Sequence, residues 1–390
     1  MENTIGSNNN RRISFFDKDL VTLFIVFKLV VIVALAAFYF YLDEFQGLNL
    51  WNRIYTGEEP PASFLIPFAN WDGQHYLILA DWGYNAVKAS RAFFPLFPIL
   101  IRFTNLLFRN FYLSAFVLNL ILSYAFFWVF YQYSVHHIGK KSTGLALISF
   151  LCFPTAFFMT VFYSETLFLL LLLGFLYFYE IKQSYWSLVF AVLLPLTRAQ
   201  AGFIAAALLV FVIIKLIKKE KMNLKYEIMN LSAFVLGGIF YLLFFYLATG
   251  SPFSGIEAQS LYLFDNAFTN IFKPWRFLQN LFTPSTEWFT YNNAIIDKIF
   301  IVAIFLGMVV VIKAKNPLWL IFYLFLTYPP ASMGQGGSFT RFSLIVIPLL
   351  ALATWKVFPK REKLILALSV CLLFVQLFFI LRFAVNDWVG

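Results

Sequence analysis

Residues 20–42 read LVTLFIVFKLVVIVALAAFYFYL, a long, predominantly apolar run. At 1.5 Å of helical rise per residue, about 20 residues cross a hydrocarbon layer roughly 30 Å thick, so this run is long enough to span one. Similar runs recur at about 112–134, 144–161, 164–181, 185–200, 203–219, 229–248, 299–313, 317–330, 341–355 and 364–384. Lipid satisfies no backbone hydrogen bonds, and the runs are too long for barrel strands, so helices are expected. The composition agrees: 61% of residues are hydrophobic and only 12% charged, far from the balance of a soluble domain. The expected fold class is therefore all-α integral membrane, a polytopic helical bundle of about 11 transmembrane helices. Residues 1–19 form a polar cytoplasmic tail ahead of one transmembrane domain, 20–390, and the first run reads as an uncleaved signal anchor.

The net charge of +10 does not imply nucleic acid, because the cations bunch in short connections: Lys140 and Lys141, Lys215 to Lys225, Lys313 and Lys315, and Lys356 to Lys363. That bunching is the signature of cytoplasmic loops. With the N-terminus inside, alternation puts every cluster inside and two long loops, about 43–111 and 249–298, outside. This requires residues 93–111 to lie in the interface rather than cross. Pro95, Pro98, Arg102 and Arg109 suit an interfacial helix in the first outer loop. Cys152 and Cys371 both fall in expected spans and suggest no disulfide framework. With large outer loops and short inner ones, chemistry is expected on the extracytoplasmic face. No internal repeat or matched pair of broken helices points to a secondary transporter.

Polar islands on that face carry the candidate chemistry. Trp71-Asp72-Gly73-Gln74-His75-Tyr76 opens a short helical stretch, and Asp72 suits an N-cap whose carboxylate the helix terminus favours. A rigidly held carboxylate also suits a general base. Asp81 is a weaker candidate, consistent with simple solvent exposure. Ser164 and Glu165 stand where another helix begins and suit capping as well. Arg198 sits at an outer hairpin, suited to snorkelling, to pairing with Glu165, or to a phosphate. The segment Gly334-Gln335-Gly336-Gly337-Ser338-Phe339-Thr340-Arg341 offers backbone N–H groups and a guanidinium fork to an anion, and serves equally as an anchored hairpin. Gln259 lies in the second outer loop. His136 and His137 are adjacent on a helix and expected to point apart, which argues against a metal site. No Walker motif, Gly-x-Gly-x-x-Gly or His-Glu-x-x-His is present. Aromatic side chains for sugar rings and prenyl chains, cations for a phosphate and a carboxylate for a hydroxyl proton together suit glycosyl transfer from a lipid-phosphate donor.

The order Trp71-Asp72-x-x-x-Tyr76 with Gly83-Tyr84, Phe93-Phe94-Pro95-Leu96-Phe97-Pro98, Tyr163-Ser164-Glu165, Thr197-Arg198 and Gly250-x-Pro252 with Gln259 resembles the PIG-V-like family. That family is related to the second mannosyltransferase of glycosylphosphatidylinositol synthesis. The resemblance implies a GT-C architecture with an acidic residue on the first large outer loop. It also implies inverting transfer of a sugar, typically mannose, from a polyprenyl (dolichyl-type) phosphate. On it, Asp72 is the candidate catalytic base, with Trp71, His75, Tyr76, Glu165, Arg198, Gln259, Gln335 and Arg341 around donor or acceptor. Phe153 stands where the family pattern has Asn, and Thr197-Arg198-Ala199-Gln200 departs from an Arg-Ser-Asn pattern, differences that bear on the acceptor.

The expectation is thus a hexosyltransferase, mannosyltransferase-like, acting on a lipid- or glycan-linked acceptor. No cofactor is certain, and a divalent metal is not indicated by ligand spacing. Membrane lipids, donor and acceptor are the expected partners, without nucleic acid. A lipid-linked sugar transporter or flippase without transferase activity is the alternative, and a non-enzymatic partner in envelope assembly a third reading. The outer loops lack an Asn-x-Ser/Thr sequon, which favours a bacterial or archaeal cell membrane over the endoplasmic reticulum membrane of a eukaryote.

Overall fold

A computed structural model of the chain describes residues 15, 17–46, 54–261, 270–290, 294–332 and 338–389. In chain order the helices are α1 (Lys18–Gln46), α2 (Asp72–Asp81), α3 (Leu96–Phe108), α4 (Phe111–Leu151), α5 (Glu165–Glu180), α6 (Ser184–Leu193), α7 (Gln200–Ile217) and α8 (Leu224–Thr249). They continue with α9 (Ser254–Gln259), α10 (Pro274–Phe282), α11 (Ile295–Lys313), α12 (Pro317–Ser332), α13 (Phe339–Phe342), α14 (Ile347–Val357) and α15 (Glu362–Ala384). Among the described residues there is no strand. Seven helices are long and apolar enough to cross a membrane: α1, α4, α7, α8, α11, the stack Phe339–Val357 and α15. Their outward faces carry Leu29, Val33, Leu247, Leu306 and Phe374, all exposed, over a large apolar core beside a smaller cluster of Leu79, Tyr84, Tyr241 and Phe245. Apolar surface on this scale belongs against lipid and is consistent with a multi-pass membrane protein.

Each of the expected apolar runs except 144–161 lies largely in helix, with instructive departures. Runs 112–134 and 144–161 belong to one element, α4, broken at Gly139 (φ 73°, ψ 165°), a backbone conformation open to glycine. A straight helix would hold residues 126 and 150 about 36 Å apart. Instead the ring of Phe150 lies 5.3 Å from Phe126 and 5.7 Å from Phe130, so the chain folds back on itself next to Lys140 and Lys141. The second arm ends at Leu151, short of residue 161, because Pro154 cannot continue it. Cys152 therefore lies just past the helix, and both cysteines are free.

The irregular stretch that follows, with a 3₁₀ turn at Ala156–Met159, is buried, so its carbonyls need side-chain donors. Lys28 Nζ, Ser123 Oγ and Thr166 Oγ1 donate to Met159 O at 2.7, 2.9 and 3.0 Å, and Asn119 Nδ2 donates to Val161 O at 2.8 Å. α3 has 13 residues, about 20 Å at helical rise, short of a full hydrocarbon layer. It exposes Phe103, Leu106 and Leu107 on one side, while Phe97 and Ile101 pack inward.

α5 is the axis of the molecule, with nearly all its residues buried. It packs on α6 and α6 on α8 through small residues: a Cβ at Gly174 would strike the Phe190 ring, and one at Gly237 would lie 2.3 Å from Val192 O. The ends of α5 carry Glu165 and Glu180, roughly 22 Å apart at helical rise. Each end anchors a separate polar cluster.

Candidate functional site

The cluster at Glu165 is assembled from four parts of the chain. Asn70 to Gly73 form a tight turn closed by Gly73 N donating to Asn70 O at 3.2 Å. Trp71 takes φ 54°, ψ −119° within it, the first central position of a type II′ turn, where glycine is usual. A side chain there costs about 1–3 kcal/mol and persists only where surroundings hold it. Here Asn70 Nδ2 donates to Phe383 O at 2.7 Å, and the Trp71 ring meets Trp388 edge-on at 5.0 Å. Tyr163 OH donates to Asn70 O at 3.1 Å and accepts from Asp72 N at 3.2 Å. The end of α15 and the start of α5 thereby fix where Asp72 points.

Asp72 is not the N-cap expected from the sequence. It is the first residue of α2, the capping position belongs to Trp71, and no side chain caps the helix. The carboxylate turns instead to Arg341, whose Nη1 lies 2.5 Å from Asp72 Oδ2. Ser164 likewise occupies the cap position of α5 without capping it, and its Oγ pairs with Tyr76 OH at 2.6 Å. Glu165 Oε1 accepts from Arg341 Nε and, at 2.7 Å, from Arg198 Nη1. Two carboxylates and two guanidinium groups therefore form one chain, Asp72–Arg341–Glu165–Arg198, with no net formal charge. Buried without partners, any one of these charges would be costly, which is why the four come together.

Aromatic rings complete the enclosure. The Arg341 guanidinium stands 4.4 Å over Tyr163 and 5.4 Å over Phe158, and Arg198 lies 5.5 Å from the Phe342 ring. Exposure is graded: the Asp72 side chain is 23% exposed, against 6% for Arg341, 9% for Arg198 and 1% for Glu165. Asp72 is the member that meets the outside. Deeper in, Glu165 Oε2 is buried without a partner among the described residues.

The remaining candidates fall around this chain. Tyr76 joins it through Ser164, and burial raises its pKa. His75 stacks on Phe93 at 4.6 Å and pairs with Ser90 Oγ at 2.8 Å; burial lowers its pKa and Asp72 opposes the shift. Phe93, from the Phe-Phe-Pro motif, thus forms a wall shared by His75 and Tyr76. Gln259 Nε2 reaches Ala92 O at 3.5 Å, behind that wall and not the charged chain. Asp81 is not merely solvated, since Tyr55 OH donates to Asp81 Oδ2 at 2.9 Å. Gln335 lies outside the described residues.

Asp297 was not singled out in the sequence. Its Oδ1 accepts from both Thr340 N and Thr340 Oγ1 at 2.7 Å, which fixes the residue beside Arg341. An acid in the first turn of an otherwise apolar helix was the available signal. No protein-family model and no curated protein matches the chain.

Proposed function

We propose that the chain is an inverting glycosyltransferase of GT-C type, moving a hexose from a polyprenyl phosphate to a lipid- or glycan-linked hydroxyl. One observation carries this reading: residues separated by up to 269 positions meet in a single enclosed chain of charges whose most exposed member is a carboxylate. A structural ion-pair network has no need of that graded exposure. The PIG-V-like order of motifs supports the same reaction and suggests mannose as the sugar.

In this mechanism the acceptor oxygen attacks the anomeric carbon as the bond from that carbon to the phosphate oxygen breaks, and the configuration inverts. Asp72 takes the hydroxyl proton, and the phosphate leaves with the bonding electron pair. Arg341, with Arg198 behind it, offsets the charge developing on the phosphate. Because Arg341 is shared, a donor phosphate that draws its fork away releases Asp72 from its ion pair as substrate binds. Trp71 and Phe93, partly exposed, offer aromatic surface to sugar or prenyl chain, with the buried Tyr76 packed behind Phe93.

Topology fits the same reading. Seven helices are long and apolar enough to span alone, and on this reading the second arm of α4 and the shorter α5, α6 and α12 are embedded beside them to reach 11 crossings. The basic loops then face the cytoplasm and the Asp72 cluster faces outward. The test is to supply purified protein in detergent with polyprenyl-phosphate mannose and related donors. Consumption of a donor with formation of a glycosylated acceptor supports the transferase. Binding without consumption rejects it in favour of a carrier, since detergent offers no second compartment.

A further inference from the structure

The opposite end of α5 holds a second polar cluster that the proposed reaction does not use. The first arm of α4 reaches His136 and His137 just before the break at Gly139, and α5 ends there on Glu180. His137 Nε2 lies 2.6 Å from Glu180 Oε2. The expectation that adjacent histidines diverge fails here. Their rings lie 4.9 Å apart, and one ligand atom from each of His136, His137 and Glu180 falls within 4.8 Å of the others. Among the described residues no other His, Cys, Asp or Glu set is gathered this closely.

The cluster is held from behind. Tyr133 OH donates to Glu180 Oε1 at 3.0 Å, and Trp319 Nε1 donates to Tyr133 OH at 2.6 Å. The His137 ring meets Tyr133 and Trp319 edge-on at 4.6 and 4.7 Å. Metal-ligating side chains are oriented by outer hydrogen bonds and packing of this kind. In front, His136 is exposed, so a fourth position opens to solvent.

We propose that His136, His137 and Glu180 bind one divalent transition metal, with zinc the ion best suited to them. Two imidazole nitrogens and a carboxylate oxygen form a three-ligand set used by zinc, which places tetrahedral ligands about 3.4 Å apart. Rotation of the exposed His136 ring closes the present spacing, and the ion inserts between His137 and Glu180. Lys140, Lys141 and Lys356 are at the same end, with Lys356 Nζ 5.2 Å from the Trp319 ring. That basic setting disfavours calcium or magnesium, which are held by clustered anionic oxygens, and leaves a nitrogen-ligated ion as the fit. Bound there, the ion ties the α4 hinge to the end of α5 and stabilises the bundle by mass action.

The chain has three histidines and two are in this cluster, so tag-free protein gives a clean test. Purified protein stripped with a chelator is titrated with Co²⁺, followed by its visible absorption, and with Zn²⁺, followed by competition and by thermal midpoint. The expected result is one equivalent of metal and a raised midpoint. His136→Ala, on an exposed side chain, weakens binding at least about 10-fold, and His137→Ala abolishes it. Tyr133→Phe weakens it about 10-fold through the lost outer hydrogen bond. Asp72→Asn leaves it unchanged. Wild-type protein that binds no equivalent, or binding that survives in His136→Ala with His137→Ala, overturns the proposal. The readout is independent of sugar transfer, so its failure leaves the transferase reading untouched.

Discussion

Arg341 donates through Nη1 to Asp72 Oδ2 at 2.5 Å, joining residues 269 positions apart, while its Nε engages Glu165. One guanidinium thus spans a partly exposed carboxylate and a buried one. Only a rigid planar fork does this; an ammonium is a point charge on a flexible stem.

Replacing Arg341 tests that bridge. Arg341→Lys keeps the charge but not the two-sided geometry, so it should lower sugar transfer at least about 10-fold while the protein remains folded. Arg341→Met removes the charge from a buried pair and should cost about 3–5 kcal/mol of stability. Thermal unfolding in detergent measures the second, and a midpoint equal to wild type would remove the bridge from the account.

Asp297 tests positioning. Asp297→Asn retains an oxygen for Thr340 N and Oγ1, whereas Asp297→Ala strands both donors at about 1–3 kcal/mol each. The alanine variant should lose stability and transfer together, and the asparagine variant should keep most of both. If the two behave alike, hydrogen bonding to Thr340 is not the role of this acid.

His75 sets a pH dependence. Burial lowers its pKa in the folded chain, against Asp72, so the unfolded chain takes up the proton more readily. Stability tied to this ring is therefore complete above the ordinary histidine value of about 6.5 and is lost as pH falls below it. Thermal midpoints measured from about pH 8 to about pH 5 should drop on the acid side, and His75→Gln should flatten part of that drop. An identical slope in the variant would contradict the assignment.

The parts legible in the sequence were those that depend on local pattern. Apolar runs marked the helices, and acids or arginines at their outer edges marked Asp72, Glu165, Arg198 and Arg341. Which of these Arg341 touches was not legible, because it reaches Glu165 and Asp72 across 176 and 269 positions. Local rules misled where a tertiary partner outcompeted them: Asp72 and Ser164 forgo capping because Arg341 and Tyr76 reach them first. Lys28 is one polar residue inside a span, and only the fold shows the frayed carbonyl of Met159 that it serves. The histidine cluster was hidden because its third member, Glu180, comes from another helix.

The central claim is that Asp72 removes the acceptor proton, and it is tested by the rate of hexosyl transfer from polyprenyl-phosphate sugar by wild-type protein and Asp72→Asn in the same detergent. The account predicts a variant that remains folded, since Glu165 still pairs Arg341, and a rate lower by about 10²–10⁴-fold. Equal transfer by both proteins, or transfer by neither, would contradict it.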